Sequence, residues 1–307
     1  MPTSTNDTAS DATSHYVARF RAVLTYIDQH LDDDLSAATL SDIASSSKFH
    51  FHRQFSALFG ISAFKYVQLR RLKRAADQLA FRPQLSILDI ALGNGYDGPE
   101  AFARAFKKTT GQTPSQFRLQ PCWDTWHDSY QLVSQIRSEH MSIKLSISDV
   151  KLITTNDVPV AVYEHRGDPR RIGDSVRAFI AWRRANQLPP SSSATYNVFW
   201  SNPDDTPPDE YRFDLCAGIT QPLAGTALAS AAAAGIVNKV IPGGRCATLR
   251  HVGTDDTLFQ TVGFLYRTWL PQSGETPRDF PIYLQRVKFG PDVGETEAIS
   301  DVFLPIQ

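Results

Sequence analysis

The sequence predicts two unlike domains: an all-α region, residues 15–118, and an α+β region, residues 144–307, made of two strand–helix–strand–strand modules. Three observations predict this. The chain has 307 residues, whereas single hydrophobic cores usually stop growing by about 250–300 residues. Apolar residues keep helical spacing up to residue 118 and fall into strand-like runs after residue 141. Each half also contains its own internal repeat. Residues 1–14 then read as a short disordered tail and 119–143 as a linker.

In the all-α region, Val17, Phe20, Val23, Leu24, Ile27 and Leu31 recur at three- and four-residue intervals, one face of an amphipathic helix. Ser36 is placed to cap a short helix through Leu40 and Ile43, and Ser47 to cap a second over 48–58 that Gly60 ends in a left-handed conformation. Ser62 opens a long helix to Phe81, which Pro83 ends. Ser86 with Asp89 has the spacing of a capping box before Ile87, Ile90 and Ala91. Gly95 makes a turn, Pro99 starts a helix reaching Thr109, Gly111 stops it, and Pro114 starts a last short one. Within this series, Phe51-x-Arg53-x-Phe55-x4-Gly60 recurs as Phe102-x-Arg104-x-Phe106-x4-Gly111. Shared helix packing accounts for the phenylalanines, but not for an arginine between them both times.

In the α+β region, Ala161-x3-His165-x-Gly167 recurs as Ala247-x3-His251-x-Gly253. A helical stretch follows each copy, ending near Trp182 and Trp269. Strand-like runs come next, at 196–200 and 211–219 in the first copy and at 281–289 and 297–305 in the second. The alanine-rich stretch 224–235 between the copies reads as a flexible connector or a short helix.

Bulk properties exclude several classes. Hydrophobic residues at 42% and charged ones at 21% describe a soluble globular protein. No apolar run approaches the roughly 18–20 residues that span a bilayer, so no membrane partner is expected. The first residues lack the basic and apolar parts of a secretory signal. Cys122, Cys216 and Cys246 are too few and scattered for a disulfide framework or zinc site, which makes a reducing cytoplasm the expected compartment. No cofactor or metal is expected; His50 and His52, two apart on a helix, point to different faces. The net charge of −1 conceals an asymmetry, with 14 Lys+Arg against 9 Asp+Glu in residues 15–118 and an acidic excess beyond them. A basic block beside an acidic one suits a polyanion-binding domain joined to a domain with another task.

The chemistry of the first repeat fits base reading in the major groove of double-stranded DNA. A helix-turn-helix presents the N-terminal side chains of its second helix to base edges. In the first unit the outward positions are Lys48, Phe49, His52 and Arg53; in the second they are Glu100, Ala103 and Arg104, with Lys107 and Lys108 a turn later. Arginine bonds guanine O6 and N7 together, and an aromatic ring lies against a thymine methyl. Glu100 can only accept, as from cytosine N4, and Lys107 and Lys108 suit phosphates. The first unit is therefore expected to read most of the sequence and the second to anchor.

The run Ser47-Lys48-Phe49-His50-Phe51-His52-Arg53-Gln54-Phe55, the Arg71-Leu72-Lys73-Arg74-Ala75 of the long helix, Gly95-Tyr96, and the closing Phe102 to Lys108 and Gly111 to Arg118 resemble the AraC/XylS signature. The resemblance implies two helix-turn-helix subdomains, joined by the long helix, that reach successive major-groove faces on one side of DNA. Two positions depart from it. Ser45-Ser46 stands for the usual glycine- or aromatic-containing turn, and Gly98 for a capping serine, which implies a frayed helix start.

The second region resembles the GyrI-like effector-binding domain in His165-Arg166-Gly167, Pro203, Pro207-Pro208, Arg212-Phe213-Asp214, Ile241-Pro242-Gly243-Gly244, His251-Val252-Gly253 and Phe303-Leu304-Pro305-Ile306. The domain order then resembles the Rob-like subgroup of AraC regulators. That resemblance implies two modules about a pseudo-twofold axis and a groove for hydrophobic, often cationic small molecules. Candidate ligand-binding residues are Tyr163, Phe199, Trp200, Trp269, Tyr283 and Leu284. Family members often carry a glutamate where this sequence has Leu284. Its absence argues against a cationic preference and against hydrolysis, since general acid–base work needs an ionisable group, and points to a small neutral or hydrophobic effector, or to no small molecule at all.

The leading expectation is thus a sequence-specific, effector-modulated DNA-binding regulator, not an enzyme. Two alternatives stay open: a small-molecule hydrolase or sequestering protein fused to a DNA-binding domain, and a second domain that contacts RNA polymerase or another regulator.

Overall fold

A computed structural model describes residues 5–141, 143–290 and 293–307; of residues 5–14 and Glu295 it describes the backbone alone. The chain divides into two compact units, Met1–Gln120 with Asp128–Ser142, and Pro121–His127 with Ile143–Gln307.

The first unit is helical: α1 (Thr5–Gln29), α2 (Ala37–Ile43), α3 (Lys48–Phe59), α4 (Ala63–Phe81), α5 (Ile87–Gly93), α6 (Pro99–Thr110), α7 (Pro114–Leu119) and most of α8 (Trp123–His140). Its boundaries follow local chemistry. Ser36, Ser47, Ser62, Ser86 and Thr113 each accept a hydrogen bond from the backbone N–H three residues on, and Ser86–Asp89 completes the expected capping box. Gly60 and Gly111 close α3 and α6 at φ 67° and 75°, where a side chain would be strained.

Two stretches differ from expectation. Helix α1 reaches back to Thr5, through most of the stretch read as a disordered tail, while residues 1–4 of that tail lie outside the described residues. The stretch read as a linker, 119–143, contains the 18-residue helix α8, because Val133 and Ile136 have a core to bury against. That core also holds a buried ion cluster. Asp28 on α1 accepts from Arg70 Nε on α4 at 2.9 Å and from Arg137 Nη1 on α8, while Arg70 Nη1 donates to the Tyr130 hydroxyl.

The second unit is a single antiparallel sheet with helices on one face. Its elements are β1 (Lys151–Thr155), β2 (Val158–Arg166), α9 (Ile172–Ala185), β3 (Thr195–Phe199), β4 (Arg212–Gly218), α10 (Gly225–Ala233), β5 (Ile236–Ile241), β6 (Gly244–Val252), α11 (Asp255–Phe264), α12 (Leu270–Ser273), β7 (Tyr283–Lys288) and β8 (Ile299–Pro305). A π-helical turn, Leu265–Trp269, joins α11 to α12. The two expected modules are β2–α9–β3–β4 and β6–α11–β7–β8, and the alanine-rich connector is helix α10.

The strand order is β1-β6-β8-β7-β3-β4-β2-β5. The modules therefore meet at the β3–β7 pair, with Val198 opposite Tyr283 and Asn197 opposite Leu284. Strands β1 and β5 exchange between modules: β1 leads into β2 yet pairs with β6, and β5 leads into β6 yet pairs with β2. Two-residue connections at 156–157 and 242–243 thus link strands from opposite ends of the order, so the sheet curls. The connections touch. Gly243 N donates to Asp157 Oδ1 at 2.7 Å, and a Cβ on Gly243 would lie 2.6 Å from the Asn156 carbonyl carbon.

Strand alternation divides the core. On the helix-bearing face, Leu249, Leu284, Val302 and Leu304 pack with Leu258, Leu265 and Trp269, while Phe213 and Leu215 pack with Phe179 and Trp182. The opposite face gathers Val160, Val162, Val198, Cys216, Cys246, Tyr283 and Phe303.

Candidate nucleic-acid interface and small-molecule face

Helix α3 points Phe51, Phe55 and Phe59 at Phe20, with ring centroids 6.1–6.5 Å away. The same periodicity leaves Lys48, Phe49, His52 and Arg53 exposed. Phe49 is 66% exposed, and the Arg53 guanidinium lies 4.6 Å from its ring centroid. The aromatic and the cation expected to read bases therefore form one stacked unit. The turn before α3 places Ser45 at φ 48°, a left-handed conformation that strains any residue with a Cβ.

Helix α6 repeats this plan around buried Phe102 and Phe106 and leaves Glu100, Arg104, Lys107 and Lys108 exposed. Gly98 provides no side-chain cap, but Phe102 N donates to Gly98 O at 3.2 Å, so the helix starts at Pro99. Lys65, on the first turn of α4, adds to this basic surface. Burial and then the Lys108 ammonium hold its pKa below the ordinary lysine value. Nothing in the local sequence pairs Lys65 with Lys108; the folding of the helical unit brings them near each other.

The arginines of the long-helix signature hold the two turns. Arg71 donates to Leu31 O at 3.0 Å and Asp33 O at 2.9 Å, and its guanidinium lies within 2.6 Å of where a Cβ on Gly95 would stand. Gly95 has φ 73°, which strains any residue with a Cβ, and a Cβ there would also have to displace the Arg71 guanidinium. Arg74 donates to Asn94 Oδ1 at 2.9 Å, Asp32 Oδ1 at 2.6 Å and Gly93 O at 2.5 Å. Both arginines thereby join the end of α1 to the turn between α5 and α6.

In the second unit the six ligand candidates divide between the two faces. Tyr163, Phe199, Trp269 and Leu284 lie on the helix-bearing face. Trp269 and Leu284 are core there, and Leu284 is fully buried. Tyr283 and Trp200 lie on the opposite face, where Trp200 Nε1 donates to Asp214 Oδ2 at 2.9 Å beneath the Arg212 guanidinium. One groove cannot include all six, because neighbours in a strand point to opposite faces. Placing both Tyr283 and Leu284 in the groove missed that alternation.

The sequence reasoning also missed Asn197, Arg286 and Asp255. On the helix-bearing face, Arg286 Nε donates to Asn197 Oδ1 at 3.0 Å, and Arg286 Nη1 donates to Asp255 Oδ1 on α11 at 2.5 Å. Asn197 is opposite Leu284 in the central pair, and Phe199, two residues on, has its ring 6.4 Å from that of half-exposed Phe259 on α11. On the α9 side, Arg183 donates to the Thr195 hydroxyl and to Ser193 O. Burial lowers the Arg183 pKa to about 10.

Two histidines repeat their whole environment. His165 Nδ1 pairs with Ser175 Oγ at 2.8 Å and His251 Nδ1 with Thr261 Oγ1 at 2.9 Å; the Nε2 atoms lie 3.1 Å from Asp168 O and Thr254 O. In the neutral ring, Nε2 donates to the carbonyl and Nδ1 accepts from the hydroxyl, so every contact is satisfied without a charge. Burial holds both pKa values below the ordinary histidine value. These histidines secure the strand-to-helix turn in each module. Among the described residues, no group of three His, Cys, Asp or Glu side chains could hold a metal ion.

Two equivalently packed helical units with exposed basic side chains, joined to a twofold-repeated curled sheet, define a two-domain helix-turn-helix protein. Residues 40–120 match the helix-turn-helix domain family, and residues 148–307 match the GyrI-like small molecule binding domain family. A probable transcriptional regulator, YgiV of Escherichia coli K12, is 36% identical over 159 residues, covering 52% of this chain and 96% of that protein. The right origin-binding protein of the same strain is 33% identical over 142 residues, 46% of this chain and 45% of that protein. Among solved structures, an uncharacterized conserved protein from Listeria innocua superposes with a TM-score of 0.43 at 11% identity, covering 56% of this chain and 98% of that one. The chain belongs to the GyrI-like small molecule binding domain family, here joined to an AraC-type helix-turn-helix domain. It is a DNA-binding transcriptional regulator.

Proposed function

We propose that α3 and α6 enter successive major grooves of double-stranded DNA, and that a small hydrophobic molecule on the second domain modulates the regulator. The repeated set of outward side chains on two equivalently packed helices supports this reading best. Phe49 and Arg53 act as the main sequence reader; Arg104, Lys107 and Lys108 mainly anchor the second helix through phosphates, with Lys48, His52 and Glu100 at the edges of the two contacts. The effector lies on the helix-bearing face between α9 and α11, beside Phe199 and Tyr163. Catalysis is not part of this reading. The buried Leu284 offers no proton to transfer, and His165 and His251 have both ring nitrogens engaged.

The test is to map the sites bound across the genome of the source cell and measure affinity for one site. Arg53→Ala should lose about 1–3 kcal/mol there and discriminate less between sites. Unchanged affinity would remove α3 from the reading role.

A further inference from the structure

The central strand pair holds a polar feature that neither repeat predicts. Offsets of 86 or 87 residues relate the modules: His165 corresponds to His251, Leu215 to Val302 and Asn197 to Leu284. Asn197 and Leu284 are also registered directly opposite each other, so the pseudo-twofold axis passes between them. One equivalent position is a fully buried leucine, while the other is a polar amide only 3% exposed.

Asn197 Oδ1 accepts from Arg286 Nε, while its Nδ2 makes no hydrogen bond to a described residue and is not fully enclosed, so it is open to a partner from solvent. Arg286 is in a similar state. Its Nε and Nη1 are engaged, and its Nη2 has no acceptor among the described residues. Both sets of N–H groups belong to the helix-bearing face between α9 and α11. Amide N–H and guanidinium N–H only donate, so the feature wants an acceptor, and the guanidinium favours a charged one. The flanking Phe199 and Phe259 rings offer apolar surface for the rest of such a molecule.

We propose that this face takes a small molecule with an apolar body and a carboxylate, its oxygens accepting from Asn197 Nδ2 and Arg286 Nη2. This rests on the effector reading above and names the chemistry of the same site. It also places the specificity of the site in two residues of the central strand pair rather than in the aromatics. A carboxylate can share Arg286 with Asp255, whose side chain is mostly in solvent and has water as an alternative partner. An ammonium would face the Arg286 guanidinium and would have to displace it from Asp255.

The experiment titrates the full-length protein by calorimetry with three molecules that share one body: phenylbutanoate, phenylbutanamide and phenylbutylammonium. Phenylbutanoate should bind saturably, about tenfold more tightly than the amide, because charge-assisted hydrogen bonds are roughly twice as strong as neutral ones. The ammonium should bind most weakly. Asn197→Leu, which copies the opposite module, and Arg286→Gln should each weaken phenylbutanoate about tenfold or more, with melting curves confirming that both variants fold. Absence of phenylbutanoate binding, equal or tighter binding of the ammonium, or undiminished binding in both folded variants would each overturn the proposal. The effector reading is tested separately, by adding phenylbutanoate to the protein–DNA titration. If it binds as described but leaves DNA affinity unchanged, the carboxylate assignment stands and the modulation reading fails.

Discussion

His165 and His251, in corresponding strands of the two modules, make the same pair of hydrogen bonds to the same places in the following turn. Their neutral state has a consequence for stability. The folded pKa values lie below the unfolded ones, so each histidine contributes stability that is complete above about pH 6.5 and is lost as pH falls through the folded pKa.

Thermal unfolding between pH 7.5 and pH 5 should therefore show a declining midpoint below about pH 6.5, by at most about 1.4 kcal/mol per pH unit for each histidine. Replacing both, His165→Gln with His251→Gln, should flatten this decline. An unchanged slope in the double variant would assign it to other groups.

The exchange of β1 and β5 predicts a sensitive position at Gly243. Backbone atoms of Thr155, Asn156 and Asp157 stand 2.6–2.7 Å from an added Cβ and cannot rotate aside as a side chain could. Gly243→Ala should destabilise the second unit by about 1–3 kcal/mol, read as a lowered midpoint in calorimetry. Asp157→Ala, which loses only the hydrogen bond to Gly243 N, should fall by about 1 kcal/mol.

The cluster at Asp28 makes a different prediction. Its carboxylate lies between two buried arginines, and removing one partner of a buried ion pair typically costs about 3–5 kcal/mol. Asp28→Ala should lower the unfolding midpoint of the helical unit more than any surface substitution on α3 or α6. A loss below about 1 kcal/mol, the median worth of a surface pair, would show that the arginines find water.

Salt dependence tests the separate roles proposed for α3 and α6. Each phosphate contact contributes about 0.9 to the slope of log K against log salt. Replacing Lys107 and Lys108 by alanine should reduce that slope by about 2 and weaken binding evenly across sites. Arg53→Ala should instead change the ranking of sites and leave the slope nearly intact. The reverse pattern, measured by fluorescence anisotropy at several salt concentrations, would exchange the roles.

Most of the helical unit was legible from local chemistry. Ser36, Ser47, Ser62, Ser86 and Thr113 act on N–H groups three residues away, and Gly60 and Gly111 act on their own backbone, so each signal is complete within a few residues. The exposure of Lys48, Phe49, His52 and Arg53 was legible too, since periodicity alone separates them from buried Phe51 and Phe55. The linker helix was not. Its first and last turns depend on partners far away in sequence, as when Arg137 meets Asp28.

In the second unit the sequence by itself determined the two modules and their order, because the repeat of Ala161, His165 and Gly167 in Ala247, His251 and Gly253 reflects one local unit used twice. It could not determine which strands pair across modules. Backbone hydrogen bonds bear no residue identity, so only the packed sheet decided that β1 joins β6, that β5 joins β2 and that β3 meets β7. The face of each candidate residue followed from that register. Tertiary structure moved Trp200 and Tyr283 away from the helices, buried Leu284 in the core, and brought Asn197 beside Arg286.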